Sequence, residues 1–323
     1  MDIYINFNLY VGPDQQPDHS DGERLSSAPA LSLHQVLEQQ LQAVSVCRGA
    51  STMSNYRTAM RSLFNYLGHD IPLSSLDSLL IAGYEQWLKQ QGICLNTVSC
   101  YMRSIRSLLA MADNSLKGIF GKVYTGTAHT EKRSVSADDI GRLKTLQLPK
   151  GSFLELSRDV FLFSFYAMGM PFVDVAHLRL HQIDNGQMVY NRRKTGQRVQ
   201  VAIEQPMLDI IRLYTGRASA DYVFPLLTQG SDREYHTVLG RYNRALHHLG
   251  VLSGIGEHLT SYVVRHTWAS TAYSANVDLP VISKALGHAN TQTTLTYIRE
   301  IDDQRVVQAN RDIIGLIESV SRR

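Results

Sequence analysis

The chain has 323 residues, of which 44% are hydrophobic, and its 32 Lys and Arg against 29 Asp and Glu give a formal net charge of +3. No run approaches the roughly 18 apolar residues of a membrane span, and the opening residues lack the order of a secretory signal, which argues against a membrane or secreted protein. Three cysteines, Cys47, Cys94 and Cys100, lack metal-ligand spacing, so we expect reduced thiols, a cytoplasmic location and no bound metal.

The length predicts two domains preceded by a tail. Residues 1–33 hold five acids and one base, include Pro and Ser, and are expected to be an acidic, flexible segment. The remaining 290 residues therefore carry 31 bases and 24 acids, a net charge of +7. This mild basicity is compatible with DNA as a partner, although many proteins of similar charge bind no DNA.

Residues 34–113 show helical periodicity throughout, with apolar side chains recurring every three or four residues. Ser51 and Thr52 are expected to cap the second helix, which ends at Gly68, and Asn96 is expected to cap the fourth. The range therefore predicts a small all-α domain of four helices.

Two of these predicted helix starts combine hydroxyl or amide side chains with arginines one or two turns later. Helix N-termini, hydroxyl groups and guanidinium groups all suit contacts with DNA phosphates. Ordinary capping beside a solvated face explains the same pattern, so the residues alone leave both interpretations open. The candidates are Thr52, Tyr56, Arg57, Asn96, Thr97, Tyr101, Arg103 and Arg106.

Residues 114–134 are predicted to be a basic linker. They contain four basic residues against one acid, and three glycines interrupt any helix. A basic connection between two domains fits a clamp around a DNA duplex, with Lys132 and Arg133 as candidate contacts, whereas a merely solvated linker is the alternative.

Residues 135–323 form the second predicted domain. Ser136 begins its first helix, and the apolar spacing over Phe153–Met168 predicts a core helix. Alternation over Met188–Ile203, centred on Thr195-Gly196, predicts a β-hairpin.

Arg265, His288 and Tyr297 follow in fixed order, and Gly287 is expected to end a short helix at its C′ position. A phenol has a pKa of about 10 and is a poor nucleophile at neutral pH. It becomes useful when it attacks phosphorus while guanidinium groups hold the negative charge of the phosphate oxygens. The covalent phosphotyrosine that results requires neither ATP nor a metal, so we expect no cofactor.

The Arg-His pair at 265–266, the Leu-Gly-His turn at 286–288 and Tyr297 resemble the catalytic box of the tyrosine recombinases, the phage integrase family. The sequence of residues 260–269 is most similar to integrases and DNA invertases of Bacteroides-type bacteria. The resemblance implies a mainly α protein with a SAM-like, four-helix core-binding domain at 34–113. It implies an α-rich catalytic domain with a small antiparallel β-sheet at 135–323.

The function that this resemblance implies is site-specific DNA recombination in a bacterial nucleoid. Tyr297 would attack the scissile phosphate and form a 3′-phosphotyrosyl intermediate, Arg265 would hold the phosphate, and His288 would assist. Lys194, in the predicted hairpin turn, would protonate the leaving 5′ oxygen, and Asp174 would support the site. The partners implied are double-stranded DNA with paired sites and a homo-tetramer joined through a C-terminal helix over 306–320.

The sequence departs from the family pattern in two respects. The first phosphate-binding arginine is absent from both places where it is expected, which hold Met168 and Pro171. Arg192 is the candidate substitute, because residues i and i+2 of a strand share a face and Arg192 precedes Lys194 by two positions. Tyr262 stands where most members have a histidine, and its phenol can still donate a hydrogen bond.

Several functions stay open at this point. Inversion, integration or excision, and Xer-like dimer resolution share this chemistry, as does a type IB topoisomerase. The short segment 1–33 leaves no room for a separate arm-binding domain, which favours a simple-core recombinase such as an invertase. The missing first arginine supports a catalytically impaired DNA-binding protein, whereas the presence of Arg265, Lys194, His288 and Tyr297 argues against it.

Overall fold

The computed structural model describes residues 31–130, 133–219, 221–255, 259–288, 291–295, 310, 311 and 314. The chain divides into two compact units, Met1–Ala128 and His129–Arg323. The predicted tail is outside the described residues except for 31–33, and so is most of the predicted C-terminal helix. Within the described ranges, no helix is both long and apolar enough to cross a bilayer.

The first unit is a four-helix domain, as predicted. It comprises α1 (Leu33–Ser45), α2 (Ala50–Leu67), α3 (Ser78–Gln90) and α4 (Leu95–Ala112), with short 3₁₀ helices at Leu73–Ser75 and Asn114–Phe120. Their apolar faces meet in one core, where Leu37, Leu63, Tyr84 and Met102 are fully buried. Amphipathic periodicity was sufficient to predict this packing because each helix buries a single stripe.

Two predicted caps are wrong. The N-cap of α2 is Gly49, so Ser51 and Thr52 lie in the first turn of the helix. The N-cap of α4 is Cys94, and Asn96 lies inside the helix. The physical reason is visible for Asn96, whose side chain pairs with the backbone of Ala128 instead of with its own helix.

The segment for which we predict a linker is partly folded. Asn114–Phe120 forms a 3₁₀ helix, and Phe120 and Val123 are buried in the core of the first unit. Farther on, the Ser99 hydroxyl donates to the Gly126 carbonyl at 2.6 Å. The first part of 114–134 therefore packs as part of the first unit.

The second unit surrounds the apolar helix α6. Its helices are α5 (Ala137–Thr145), α6 (Phe153–Tyr166), α7 (Phe172–Ala176), α8 (Gln205–Tyr214), α9 (Asp232–Leu252), α10 (Val263–Ser274), α11 (Leu279–Ala285) and α12 (Thr291–Leu295). Helix α6 packs against α5, α8, α9 and α10, and it places Phe163 against Phe224 in the core. Ser136 caps α5 in a capping box with Asp139, as its sequence predicts.

A small antiparallel sheet lies in this unit, with strand order β1 (Ile183–Asp184), β2 (Gln187–Asn191) and β3 (Arg198–Ala202). The predicted hairpin is β2–β3, with Tyr190 opposite Val199. Met188, Tyr190, Val199 and Val201 face the core, which is the alternation seen in the sequence. Strand β1 was missed because two residues carry no periodicity.

Candidate active site

Arg265 is the centre of a buried polar cluster in the second unit. It lies in the first turn of α10 and its side chain is only 3% exposed. Its Nη1 donates to the Gly169 carbonyl at 3.0 Å, and its Nη2 donates to the Leu286 carbonyl. The same Nη2 lies 3.0 Å from His288 Nε2. Two segments that are distant in sequence, the turn at Gly169 and residues 286–288, therefore meet at one guanidinium group.

The turn after α6 reaches this cluster because its backbone is left-handed. Gly169 has φ +67°, and a Cβ there would lie 2.9 Å from Arg265 Cα. Met168 also has a positive φ of 57°, which is uncommon for a residue with a side chain. The first phosphate-binding arginine is expected at the positions that Met168 and Pro171 occupy. This turn supplies no guanidinium group and instead presents a carbonyl to Arg265.

Arg192 is the second buried guanidinium, 8% exposed, directly after β2. Its Nη1 donates to the Leu286 carbonyl at 2.7 Å, and its Nε is 3.5 Å from Asp174 Oδ2. The close approach needs Gly287, which has φ +63°, because a Cβ there would lie 3.1 Å from Arg192 Cδ. Gly287 follows the C-cap Leu286, as predicted.

The Leu286 carbonyl thus accepts from both arginines. It lies at the C-terminus of α11, where carbonyl groups lack partners within the helix and carry the negative end of the helix dipole. A neutral oxygen at the negative end of a helix is a reasonable acceptor for two cations. The nearby carboxylate of Asp174 adds a full negative charge.

Asp174, on α7, is 4% exposed and contacts Arg192 and Arg193, the two residues that follow β2. Its Oδ1 accepts from the Arg193 backbone N–H at 2.9 Å, while Oδ2 forms the ion pair with Arg192 without hydrogen-bond geometry. Burial raises the pKa of Asp174, and the Arg193 N–H and the charges of Arg192 and Arg265 oppose that increase. These contacts are compatible with the supporting role expected for Asp174, which stays a prediction.

His288 is held at both ring nitrogens. Nε2 faces Arg265 and Nδ1 lies 2.9 Å from Thr294 Oγ1. Burial, followed by the charges of Arg265 and Arg192, lowers the pKa of His288 to about 4, so the ring is neutral at pH 7. A guanidinium can only donate, so Nε2 is the acceptor and Nδ1 carries the proton. Thr294 Oγ1 then accepts from Nδ1–H.

The hairpin turn separates Lys194 from Arg192. The Arg192 carbonyl accepts from the backbone N–H of both Thr195 and Gly196, so the chain turns immediately after β2. Lys194 is exposed in this turn, whereas Arg192 is buried. Our expectation that the two share a strand face is wrong, because the strand ends at Asn191. Arg192 and Arg265 instead meet at the C-terminal end of α11, where both donate to the Leu286 carbonyl.

Among the remaining predicted catalytic residues, Tyr262 is the one that the structure describes. Tyr262 is the N-cap of α10, is 53% exposed, and its ring lies edge-on to His266 with centroids 5.0 Å apart. Tyr297 lies outside the described residues, as does Lys132. The last described residues before Tyr297 are those of α12, which includes Thr294.

The DNA-binding candidates of the first unit divide into two groups. Four have structural partners: the Tyr56 hydroxyl lies 3.2 Å from Ser107 Oγ, Asn96 pairs with Ala128, the Thr97 hydroxyl lies 3.2 Å from Cys94 Sγ, and Arg103 Nε donates to the Ser99 carbonyl at 3.3 Å. The others lie at least partly at the surface, namely Thr52, Arg57, Tyr101 and Arg106. Arg133, in the second unit, is also exposed.

Sequence reasoning missed two participants. The Leu286 carbonyl leaves no trace in the sequence, because every residue has a carbonyl. Thr294 could have been identified from its position in the sequence, because it follows His288 by six residues and precedes Tyr297 by three. In the part of the chain that the structure covers, no group of three or more His, Cys, Asp or Glu side chains could hold a metal ion.

Comparisons with known proteins agree with this architecture. A model described as the phage integrase family matches residues 143–304, half of the chain, and one described as the phage integrase SAM-like domain matches residues 32–117. The tyrosine recombinase XerC of Shigella dysenteriae serotype 1 is 23% identical over 282 residues, covering 82% of this chain and 91% of that protein. XerC of Chromobacterium violaceum is 28% identical over 134 residues, covering 41% of this chain and only 44% of the relative.

Solved structures share the fold. A lambda integrase dimer bound to a COC′ core site has a TM-score of 0.67 at 15% identity, covering 84% of this chain and 98% of that one. A lambda integrase tetramer bound to a Holliday junction has a TM-score of 0.65 at 16% identity, covering 85% and 81%. The Tn1549 transposon integrase in complex with circular intermediate DNA has a TM-score of 0.65 at 16% identity, covering 87% and 99%. At these identities the likeness establishes the mainly α fold with its small sheet.

Proposed function

We propose that this chain, which belongs to the phage integrase family, cuts and rejoins DNA at specific sites through a covalent link to Tyr297. The observation that carries this proposal is the convergence of Arg192 and Arg265 on the Leu286 carbonyl. Two guanidinium groups that already share one oxygen are preorganised to share an oxygen of a phosphate. A phosphate oxygen is charged and therefore a stronger acceptor than a peptide carbonyl.

In this proposal Arg192 replaces the missing first arginine. Asp174 supports it through the 3.5 Å ion pair, and Gly287 leaves room for its side chain. Buried, fixed donors aimed at a developing charge need no reorganisation during the reaction, which is why such groups contribute strongly to catalysis. Arg265 is fixed in the same way by Gly169 and Leu286.

The chemical step assigns one role to each remaining residue. The Tyr297 oxygen attacks phosphorus, the bond from phosphorus to the 5′ oxygen breaks, and Lys194 gives its proton to that leaving oxygen. His288 is neutral at pH 7, so its Nε2 carries a lone pair that can accept the phenol proton. Tyr262, exposed at the start of α10, donates a hydrogen bond to the phosphate or its surroundings. The freed 5′ hydroxyl then attacks the partner link and releases Tyr297.

DNA is the proposed macromolecular partner. The surface side chains of the first unit, above all Arg57 and Arg106, would contact phosphates, together with Lys132 and Arg133 from the basic segment. Structures of lambda integrase bound to a core site, and as a tetramer on a Holliday junction, support DNA binding and assembly as a tetramer. We propose that the C-terminal helix joins the protomers and that the protein acts on the bacterial nucleoid.

We favour either inversion of a DNA segment or its integration and excision as the reaction. Xer-like dimer resolution is the alternative, supported by the XerC relatives. A catalytically impaired DNA-binding protein is a second candidate, because Met168 and Pro171 replace the first arginine. The likeness to Bacteroides-type integrases stays a prediction.

A test of this function can be made before the target site is identified. Wild type and Tyr297→Phe are expressed in a bacterial host, the lysate is denatured, and DNA that stays attached to the protein is sequenced. Attachment at a few sites in wild type alone supports the proposal, and repeats flanking those sites distinguish inversion, integration and resolution. Equal background in both would contradict it and favour the DNA-binding candidate.

A further inference from the structure

Thr294 is a buried polar residue with no role in the proposed chemistry. Its side chain is completely inaccessible, and its Oγ1 lies 2.9 Å from His288 Nδ1. It lies in α12, which starts at Thr291, and three positions before Tyr297. The helix that precedes Tyr297 in the chain is therefore hydrogen-bonded to the His288 imidazole through this hydroxyl.

The contact continues through the imidazole into the phosphate-binding residues. His288 Nε2 faces Arg265 Nη2 at 3.0 Å, and Arg265 in turn donates to the carbonyls of Gly169 and Leu286. His288 is also tied to α11, because its backbone N–H donates to the Ser283 carbonyl at 3.0 Å. The ring is thus held at both nitrogens, and the contact at Nδ1 comes from the helix that precedes Tyr297 in the chain.

The direction of each hydrogen bond follows from donor chemistry. Arg265 has no acceptor, so an imidazole nitrogen that contacts it must offer a lone pair. The neutral ring can offer Nε2 only if Nδ1 carries the proton. The Thr294 hydroxyl could accept from Nδ1–H or donate to a bare Nδ1, so Arg265 selects the tautomer and Thr294 supplies the acceptor that the buried Nδ1–H requires.

We propose that Thr294 is a positioning residue that holds His288 in the Nδ1–H tautomer and fixes the segment leading to Tyr297 against Arg265. The proposal rests on the proposed function, because Tyr297 is the nucleophile only there. It extends that function by assigning the coupling between nucleophile and phosphate-binding groups to a single hydroxyl.

Thr294→Val and Thr294→Ser separate the hydroxyl from the shape of the side chain. Valine keeps the branched shape but cannot accept, so Nδ1–H loses its partner in a buried place. Serine keeps the oxygen and loses only a methyl group. Thr293→Val is the matched control, because it makes the same chemical change in an exposed side chain of the same helix.

The first readout is the tautomer of His288, which a purely structural role of Thr294 would not change. Two-bond proton–nitrogen NMR spectra of histidine-labelled full-length protein report it, and His288→Gln identifies the signals among the 12 histidines. We expect Nδ1–H in wild type, Thr294→Ser and Thr293→Val, and a mixture of tautomers in Thr294→Val. An unchanged tautomer in Thr294→Val would overturn the proposal.

The second readout is single-turnover formation of the covalent DNA adduct on a captured site. We expect Thr294→Val to be slower by about 10- to 100-fold, as for residues that orient functional histidines in metal sites, and Thr294→Ser to stay near wild type. Equal loss in Thr294→Val and Thr294→Ser would overturn the proposal. Failure of wild type to form any adduct would instead refute the proposed function. The tautomer measurement would still show independently whether Thr294 holds His288.

Discussion

Arg192 and Arg265 donate to the same oxygen, the carbonyl of Leu286. Two cations repel each other, so their proximity requires compensation from the surroundings. The C-terminal end of α11 and the carboxylate of Asp174 supply it, and Gly287 provides the space. The C-terminal end of α11 therefore holds the two arginines of the proposed phosphate-binding site together. The contribution of each residue can be tested by substitution.

The first prediction concerns Arg192. Arg192→Lys keeps the positive charge beside Asp174 but removes the planar set of donors, so it should bind a phosphate less well. We expect a loss of about 10²-fold in the rate of adduct formation, the scale for removing one oxyanion donor. Single-turnover cleavage of a captured site measures it.

Arg193→Lys is the matched control for this change. Arg193 is exposed, and its contact with Asp174 is made by its backbone N–H, which the substitution retains. We expect this variant to cleave within a few-fold of wild type. Equal rates for Arg192→Lys and wild type would remove Arg192 from the phosphate-binding site.

The second prediction concerns Gly169. Alanine there meets both an unfavourable φ of +67° and a contact of 2.9 Å with Arg265 Cα. Gly186→Ala is its control, because that position has φ +74° and open space around it. We expect Gly186→Ala to cost about 1 kcal/mol and Gly169→Ala about 1–3 kcal/mol more in free energy of unfolding.

Fluorescence can assign this loss to the second unit. The chain has two tryptophans, Trp87 in α3 and Trp268 in α10. In a Trp87→Phe background, urea unfolding followed by Trp268 reports on the helix that carries Arg265. Equal costs for the two alanine variants would show that Gly169 is not in close contact with Arg265.

The third prediction concerns pH. The pKa of His288 is lowered to about 4, below the value of about 6.5 in an unfolded chain. As the pH falls from about 6.5 toward 4, the unfolded chain binds this proton first, so wild type loses stability that it holds fully above pH 6.5. His288→Asn lacks this group, so wild type should lose stability relative to the variant across that range.

Paired urea titrations of wild type and His288→Asn at several pH values measure this difference. The raised pKa of Asp174 acts in both proteins and cancels in the comparison to first order. A stability difference that does not change between pH 6.5 and 4 would mean that His288 titrates normally and is not held by Arg265.

The fourth prediction concerns the first unit. Asn96 pairs with the Ala128 backbone through two hydrogen bonds, at 3.0 and 2.8 Å. Asn96→Ala should therefore destabilise the attachment of that segment by about 1–2 kcal/mol, apart from any loss of DNA affinity. Hydrogen exchange of the Ala128 amide should accelerate by about tenfold or more.

Thr97→Ala is the control for Asn96→Ala. The Thr97 hydroxyl makes its contact with the exposed Cys94 thiol, 3.2 Å away. Its removal should leave exchange at Ala128 unchanged. Slow exchange at Ala128 in both variants would show that Asn96 is available for DNA rather than committed to the fold.

Periodicity predicted the elements that bury one face. The four helices of the first unit, the core helix α6 and the β2–β3 hairpin all follow from apolar spacing, and Gly287 was predicted from the end of a pattern. Helix starts were harder, because Asn96 and Thr52 are good caps in principle but other residues occupy the cap positions.

The site itself was only partly predictable. Arg265 and His288 came from spacing and resemblance, but their meeting point is a backbone carbonyl, which no side-chain pattern encodes. Arg192 was selected for a reason that fails, since the strand ends before it. Its proximity to Arg265 depends on where α11 packs, and that is set by contacts between residues far apart in the chain.

Identification of the covalently modified residue tests the central claim most directly. Captured DNA adducts of wild type are digested with nuclease and trypsin, and the peptide from Ala285 to Arg299, in which Tyr297 is the only tyrosine, is analysed by mass spectrometry. We expect a nucleotide mass on Tyr297, absent from Tyr297→Phe. An unmodified peptide from protein that retains covalent DNA would contradict Tyr297 as the nucleophile.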